Sequence, residues 1–217
     1  MTAHAAPLLA LDSGSPVVSL ALGLPGGEIE SRTLQLRRSS EQLLPAVHDM
    51  LRSRGLGIGD VGGLVALGGP GSFTGLRVGL ATILGLHQAL GLRARALPTL
   101  PILARSARGE LRDGDQLIAV VDALRGEWMS QTFVLEGGEP QAVESPLLRD
   151  QAELTRLGRP VVGFELGALA DHLGAEKLLD AQPLAPIALE PALDGEWDAG
   201  TLVEPIYFRP PATTKKP

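Results

Sequence analysis

The residues with the clearest chemical potential are the glycines of residues 68–79, which read GGPGSFTGLRVG. This segment follows a short apolar run and precedes a helical pattern, and a helix N-terminus presents free N–H groups that favour anions. The segment lacks the Gly-Lys-Ser/Thr of a P-loop, and its glycine spacing differs from that of a dinucleotide fingerprint. Two interpretations stay open here: phosphate binding, and a tight turn whose glycines allow close packing of helix on sheet.

Two further turns carry carboxylates that an ATPase could use. Asp12 and Ser13 begin the turn between two apolar strands, where a carboxylate could position magnesium or water near phosphates. Asp122 opens a similar turn later in the chain. Asp12, Ser13, Gly71 and Asp122 are therefore the candidate cofactor-binding residues. Because Asp, Ser and Gly also favour turns for purely local reasons, the residues alone favour a structural role, and no cofactor is predicted.

Composition excludes several kinds of chemistry. The chain has no cysteine, which rules out disulfides, thiolate nucleophiles and Cys-ligated metal centres. Its four histidines include no two that lie three to five residues apart, so no metal site is predicted. A net charge of −6 argues against this chain providing the main surface that binds RNA or DNA. No secretory signal or membrane-spanning stretch is recognised, and we expect a cytoplasmic protein without a membrane partner.

The elements that position these residues follow from apolar patterning. The pattern of strand, Asp-led turn and strand at residues 8–22 restarts at Leu117, which suggests two similar lobes, with residues 1–110 in the first and 111–217 in the second. Strands are predicted at residues 8–11, 17–22, 28–36, 63–67, 117–121, 128–135 and 161–164. Helices are predicted from Ser39 or Ser40 to before Gly55, from Phe73 or Thr74 to Leu90, at 98–107 and at 150–157. A proline-rich tail closes the chain.

The helix after the glycine segment carries a second signal. Gly75, Gly79 and Gly85 lie inside it, although each glycine costs about 1 kcal/mol relative to alanine in a helix interior. Small residues four apart allow another helix to approach closely, within the chain or from a partner. The predicted partner-binding residues share this helix and are small or aliphatic: Leu76, Gly79, Leu80, Ala81, Ile83, Leu84, Gly85 and Ala89.

Residues 69–80 resemble the signature of the TsaB (YeaZ) family, the small bacterial paralogues of the threonylcarbamoyl transferase TsaD. The likeness extends over nearly the whole chain. It includes the first hairpin around Asp12, the helix start at residues 40–45, the turn at residues 122–127, and Tyr207-Phe208-Arg209 near the end.

The resemblance implies an α/β protein with the actin-like ATPase fold: two RNase H-like lobes, the second of them reduced. It further implies a non-catalytic subunit that forms a heterodimer with TsaD during threonylcarbamoyl-adenosine modification of tRNA next to the anticodon. The ATPase TsaE would bind this pair, and tRNA would be contacted only through the complex. A homodimer using the same helix is compatible with that role when TsaD is absent.

The resemblance also bears on catalysis. TsaD-type enzymes carry a His-x-x-x-His metal pair after the helix that follows their glycine loop, and the corresponding positions here are about Thr99 and Leu103. Leucine cannot coordinate a metal, so neither a transferase nor a metallopeptidase reaction is expected. The alternative is an enzyme of the same fold that acts alone and binds ATP between its lobes through Asp12, Gly71 and Asp122.

Overall fold

The computed structural model describes residues 6–34 and 39–194, which form eleven strands and six α-helices in an alternating order. No helix within these ranges is long and apolar enough to cross a membrane. The strands are β1 Leu8–Asp12, β2 Val18–Gly23, β3 Ile29–Leu34, β4 Gly63–Gly69, β5 Arg93–Pro98, β6 Gln116–Asp122, β7 Glu127–Glu136, β8 Glu139–Ala142, β9 Leu147–Asp150, β10 Val161–Gly163 and β11 Leu178–Asp180. The helices are α1 Ser39–Ser53, α2 Phe73–Leu90, α3 Thr99–Ser106, α4 Gln151–Leu157, α5 Gly167–Leu173 and α6 Leu184–Asp194.

The strands form two sheets with the same topology. The first has the order β3-β2-β1-β4-β5, in which β1 pairs antiparallel with β2 and parallel with β4. In the second, β6 takes the place of β1: it pairs antiparallel with β7 and parallel with β10, and β11 forms the edge. The repeat of strand, turn and strand in the sequence therefore reflects two lobes of one topology.

The central strands are apolar throughout because both faces of each sheet are covered. Along β1, Leu8 and Ala10 face one apolar cluster, whereas Leu9 and Leu11 face another. Alternate side chains of a strand point to opposite faces, so a strand buried on both sides needs an unbroken apolar run. Helices α1 and α2 cover the outer face of the first sheet, and α4 and α5 cover the outer face of the second.

A single apolar core joins the two sheets through α3 and α6. It contains Val65 of the first sheet, Phe133 of the second, Leu103 of α3 and Leu189 of α6, all buried. Helix α6 comes after the second sheet in the chain but packs on β1 and β2 of the first. The division at residue 110 stays a prediction, since α3 and α6 belong to a core that both sheets share.

Charged side chains bridge the lobes beside this core. Arg108 follows α3 in a short 3-10 helix, and its guanidinium donates to both carboxylate oxygens of Glu190 in α6, at 2.6 and 3.1 Å. Arg105 of α3 lies 2.6 Å from Glu139 of β8. The hydrogen bonds to Glu190 raise the pKa of Arg108. The ion pairs tie the end of α6 to the 3-10 helix after α3.

The patterning missed several elements of the fold. Strands β5, β8, β9 and β11 were not predicted. The boundaries of α6 were also left undefined, because this part of the sequence is rich in proline and includes Pro186 and Pro191. The third strand is described from Ile29 to Leu34, and residues 35 and 36, which were predicted to continue it, lie outside the described ranges. The remaining predicted elements are confirmed to within a few residues.

Candidate functional site

The turn after β1 and the loop before α2 are in direct backbone contact. The N–H of Ser72 donates to the carbonyl oxygen of Gly14 at 2.8 Å. The hydroxyl of Ser13 donates to the carbonyl oxygen of Gly75, in the first turn of α2, at 2.7 Å. Ser13 is buried, whereas Ser72 is exposed. The structure thus brings together three of the four candidate cofactor residues, namely Asp12, Ser13 and Gly71.

The glycines of the loop are explained by this contact. A Cβ on Gly75 would overlap the carbonyl oxygen of Ser13, and a Cβ on Gly71 would lie 2.8 Å from the carbonyl oxygen of Gly14. A Cβ on Gly79 would lie 2.5 Å from the Ser13 hydroxyl oxygen. Any side chain at these positions would push α2 away from the turn. Close packing therefore accounts for the loop glycines without an anion.

Several N–H groups of the two turns are already bonded within the chain, including that of Ser72. Ser72 is the N-cap of α2, and its hydroxyl oxygen accepts from the N–H of Gly75 at 3.3 Å. Oδ1 of Asp12 accepts from the N–H groups of Gly14 and Ser15, at 3.1 and 3.2 Å. The two turns are also in close contact, since Cβ atoms on Gly71, Gly75 and Gly79 would meet atoms of Ser13 or Gly14.

Asp12 is the chemically unusual group of the site. Its carboxyl is buried, and its Oδ2 accepts no hydrogen bond from the described residues. Burial raises the pKa of Asp12 to about 6, although the Ser15 hydroxyl and the N–H groups of Ser15 and Gly14 act to lower it. Such a carboxylate destabilises the fold when it is ionised, and buried groups with shifted pKa values are often functional.

Asp122 is placed quite differently. It is exposed, and its Oδ1 accepts from the N–H of Leu124 at 2.7 Å, which closes the turn between β6 and β7. Leu124 and Arg125 both adopt positive φ angles, 66° and 62°, followed by Gly126 at 77°. Asp122 therefore has a local role in shaping a tight turn, as the residue types alone favoured.

Helix α2 has one buried and one exposed face, and the predicted partner-binding residues divide between them. Four of the eight predicted residues are buried by the chain itself and cannot contact a partner: Leu76, Gly79, Leu80 and Ile83. The sequence pattern placed these four in the predicted partner-binding set because aliphatic residues occur all around this helix. The other four are exposed: Ala81, Leu84, Gly85 and Ala89. We call these four the outer face of α2.

Gly85 differs from the glycines of the loop. A Cβ placed on it would meet nothing within 4 Å, so the chain itself has no need for glycine there. Residues that the sequence did not single out lie nearby on the surface. Arg77 stacks over the ring of Phe73 at 3.9 Å, one turn before Ala81. Leu44 of α1 has 51% of its surface exposed.

The positions that correspond to the metal pair of TsaD-type enzymes lie inside the shared core. Thr99 and Leu103 of α3 are both buried, and Leu103 packs against the apolar cluster between the sheets. Elsewhere in residues 6–34 and 39–194, no three His, Asp or Glu side chains come together as a set that could hold a metal ion.

Two sheets of one topology, joined by a layer of two helices, define the class: an α/β protein of the actin-like ATPase fold with RNase H-like lobes. YeaZ from Pseudomonas aeruginosa superimposes with a TM-score of 0.71 at 25% identity, over 93% of this chain and 99% of that one. A family model described as TsaD, tRNA N6-adenosine threonylcarbamoyltransferase, matches residues 33–172.

Curated relatives identify the family more specifically. The tRNA threonylcarbamoyladenosine biosynthesis protein TsaB of Escherichia coli is 28% identical over 96% of this chain and 97% of its own length. The protein of the same name from Haemophilus influenzae is 34% identical over 55% of this chain and 50% of its own. The chain belongs to the TsaB (YeaZ) family, within the larger group that the TsaD-type model describes.

The glycines of α2 give a matched pair of variants. Gly75→Ala should lower the free energy of unfolding by roughly 2 kcal/mol or more, because its Cβ collides with the Ser13 backbone. Gly85→Ala, in the same helix but in open space, should raise it by up to about 1 kcal/mol through helix propensity. Urea unfolding of both variants measures the difference. Equal effects would contradict the packing explanation of the loop.

Asp12→Asn should stabilise the protein more as the pH rises. The folded-state pKa of Asp12 is raised to about 6 from 3.8, so the folded protein holds its proton more tightly than the unfolded chain. The free energy of unfolding of the unsubstituted protein therefore falls as the pH rises from about 4 to about 6. Above that range the loss amounts to about 3 kcal/mol. The substituted amide would keep an acceptor oxygen for the N–H groups of Gly14 and Ser15 but would carry no charge.

Urea unfolding of the two proteins between pH 4 and 8 checks this. The gain of Asp12→Asn should be near zero at pH 4 and reach its full size by pH 8. Asp122→Asn is the control, since that side chain is exposed and also accepts a turn N–H. A gain that does not change with pH would show that the Asp12 carboxyl does not titrate in this window.

Proposed function

We propose that this chain is a non-catalytic subunit in the biosynthesis of threonylcarbamoyladenosine in tRNA, and that it pairs with TsaD through the outer face of α2. Support for the pathway comes from relatives that are named as biosynthesis proteins of this modification. TsaE would bind the resulting pair, and tRNA would be reached through the complex.

The proposed pairing rests on the outer face of α2, which has little side-chain bulk. Ala81, Gly85 and Ala89 are spaced four apart and exposed, so they form a shallow stripe beside Leu84. Glycine at position 85 costs about 1 kcal/mol of helix stability. Since no atom of the described chain comes within 4 Å of its missing Cβ, the cost is explained if a partner helix approaches there.

Leu84 adds an exposed large apolar side chain to this face. Of the six large hydrophobic residues that the described ranges expose, three belong to α1 and α2: Leu44, Leu84 and Leu90. Exposed apolar surface on a helix is typical of a protein–protein interface. A flat helical surface of this kind suits a helix of a partner with the same fold.

The non-catalytic role is supported by the buried positions in α3. Replacing Leu103 with a metal-binding histidine would place a polar ring among Leu, Phe and Ala side chains of the shared core. The alternative, an ATP-binding enzyme that acts alone, draws on the unpartnered Oδ2 of Asp12. It is less well supported because the neighbouring turn N–H groups are bonded within the chain and Asp122 serves its own turn.

Substitutions on the outer face should separate binding from folding. Ala81→Glu and Leu84→Arg are each expected to reduce recovery of TsaD in a pull-down at least about tenfold, since a desolvated charge costs more than about 1.4 kcal/mol. Ala152→Glu in α4, also an exposed helical alanine, is the matched control. Gly79→Arg is unsuitable because a side chain there strikes Ser13. Full recovery of TsaD with both variants would exclude this interface.

The proposed function itself is tested by a drop-out reconstitution. TsaC, the type of enzyme that supplies the activated threonylcarbamoyl-adenylate, is incubated with TsaD, TsaE, tRNA, threonine, bicarbonate and ATP, with and without this protein. We expect the modified nucleoside only when the protein is present, and none when the protein is supplied in place of TsaD. Modification that proceeds equally without it would overturn the proposed role and favour the ATP-binding alternative.

A further inference from the structure

The two helices between the sheets are exchanged between the lobes. Helix α3 follows the strands of the first sheet along the chain but packs mainly on the strands of the second. Helix α6 follows the strands of the second sheet but packs on β1 and β2 of the first, where the Ser19 hydroxyl oxygen accepts from the N–H of Ala185 at 3.1 Å. The position of α6 relative to α3 therefore sets the position of one sheet relative to the other.

A closed network of four charged side chains lies beside these two helices. Arg105 of α3 and Arg108, which begins the 3-10 helix after it, each contact both Glu139 and Glu190. The nitrogen–oxygen distances are 2.6 Å for Arg105–Glu139 and for Arg108–Glu190, 3.4 Å for Arg105–Glu190 and 3.5 Å for Arg108–Glu139. Each charge thus has two neighbours of opposite sign. We call these four side chains the interlobe network.

The interlobe network joins elements that belong to different lobes. Glu139 lies in β8, which pairs with β7 of the second sheet. Glu190 lies in α6, the helix that packs on the first sheet. The two arginines lie between these glutamates and contact both of them. A displacement of one lobe relative to the other would therefore separate charges of opposite sign.

Apolar packing and ion pairs restrain the two helices in different ways. The shared core holds α3 and α6 together, but apolar attraction has no preferred direction, and packed helices can slide past each other by about 1–2 Å. The contact between an arginine and a carboxylate is directional: Arg108 donates to both carboxylate oxygens of Glu190, at 2.6 and 3.1 Å. A slide of this size would break both hydrogen bonds, because they require distances near 3 Å.

We propose that the interlobe network fixes the register of α6 against α3 and thereby holds the two sheets at one angle. The lobes then move as one body, and the chain does not open and close between them. This device acts within a single copy of the chain, and it does not depend on the pairing proposed above.

The absence of native cysteine allows the angle between the lobes to be measured with two spin labels. His48→Cys in α1 and Ala152→Cys in α4 are exposed positions on the outer helices of the two lobes. Double electron–electron resonance on the labelled full-length protein, diluted with unlabelled protein, should give a single narrow distribution of distances. In this background Glu190→Ala should shift or broaden the distribution by about 2 Å or more, the size of a slide between packed helices.

Glu30→Ala is the matched control. Glu30 also contacts two arginines, Arg32 at 3.1 Å and Arg54 at 2.8 Å, but all three residues lie in the first lobe. Its side chain is buried to a similar extent, with 20% exposed against 31% for Glu190. The control should leave the distribution unchanged. An unchanged distribution in Glu190→Ala, or an equal change in Glu30→Ala, would overturn the proposal.

Added salt tests the interlobe network without a substitution in it. Its side chains are between 19 and 39% exposed, so salt should weaken their attraction. As the salt concentration is raised to about 1 M, where the Debye length is about 3 Å, the distribution of the labelled parent should approach that of Glu190→Ala. The distribution of Glu190→Ala itself should not respond.

The salt titration also decides the case in which Glu190→Ala does not fold, since it uses only the labelled parent. A distribution of the parent that stays the same at all salt concentrations would overturn the proposal, because the angle between the lobes would then be independent of these charges.

Discussion

The first turn of α2 lies against the backbone of the turn after β1, with no side chain between them. This contact determines which residues of α2 are exposed on the surface of the first lobe. The Ser72–Gly14 and Ser13–Gly75 hydrogen bonds hold the two segments together. Because a helix is rigid, fixing its first turn also fixes which residues face the sheet along the rest of its length. The exposure of Ala81, Leu84 and Gly85 is a consequence of that geometry.

The second organising feature is the layer of α3 and α6 between the sheets. Leu103, which the resemblance predicts to stand where TsaD-type enzymes carry a metal ligand, packs in a core that both lobes share. Truncating or polarising such a residue opens a cavity or buries an unpaired group. The helix therefore contributes to the stability of the whole chain, and the surface of α2 is left to carry the proposed function.

Much of the fold could be predicted because its central strands are buried on both faces. Such strands show as unbroken apolar runs, as at β1, β4 and β6, and their helices show as periodic patterns. The edge strands were missed for a physical reason: β5 alternates arginine with alanine, and β11 has only three residues. Helix α6 tolerates two prolines because its apolar residues are buried in the shared core and the Ser19 hydroxyl accepts from the N–H of Ala185. No local pattern reports those contacts.

The sequence by itself determined the family, the two-lobed topology and the unusual glycine content of α2. Only the tertiary structure decided what each glycine is for. Gly75 is required by the backbone of Ser13, which lies 62 residues away in the chain, whereas a Cβ on Gly85 would meet no other part of the described chain within 4 Å. Both look alike in the sequence, since the need for a missing side chain is set by the distance to a non-local atom. Helical periodicity likewise showed that the helix consists mainly of small and apolar residues. The packing of the helix on the sheet decided which of those residues remained exposed.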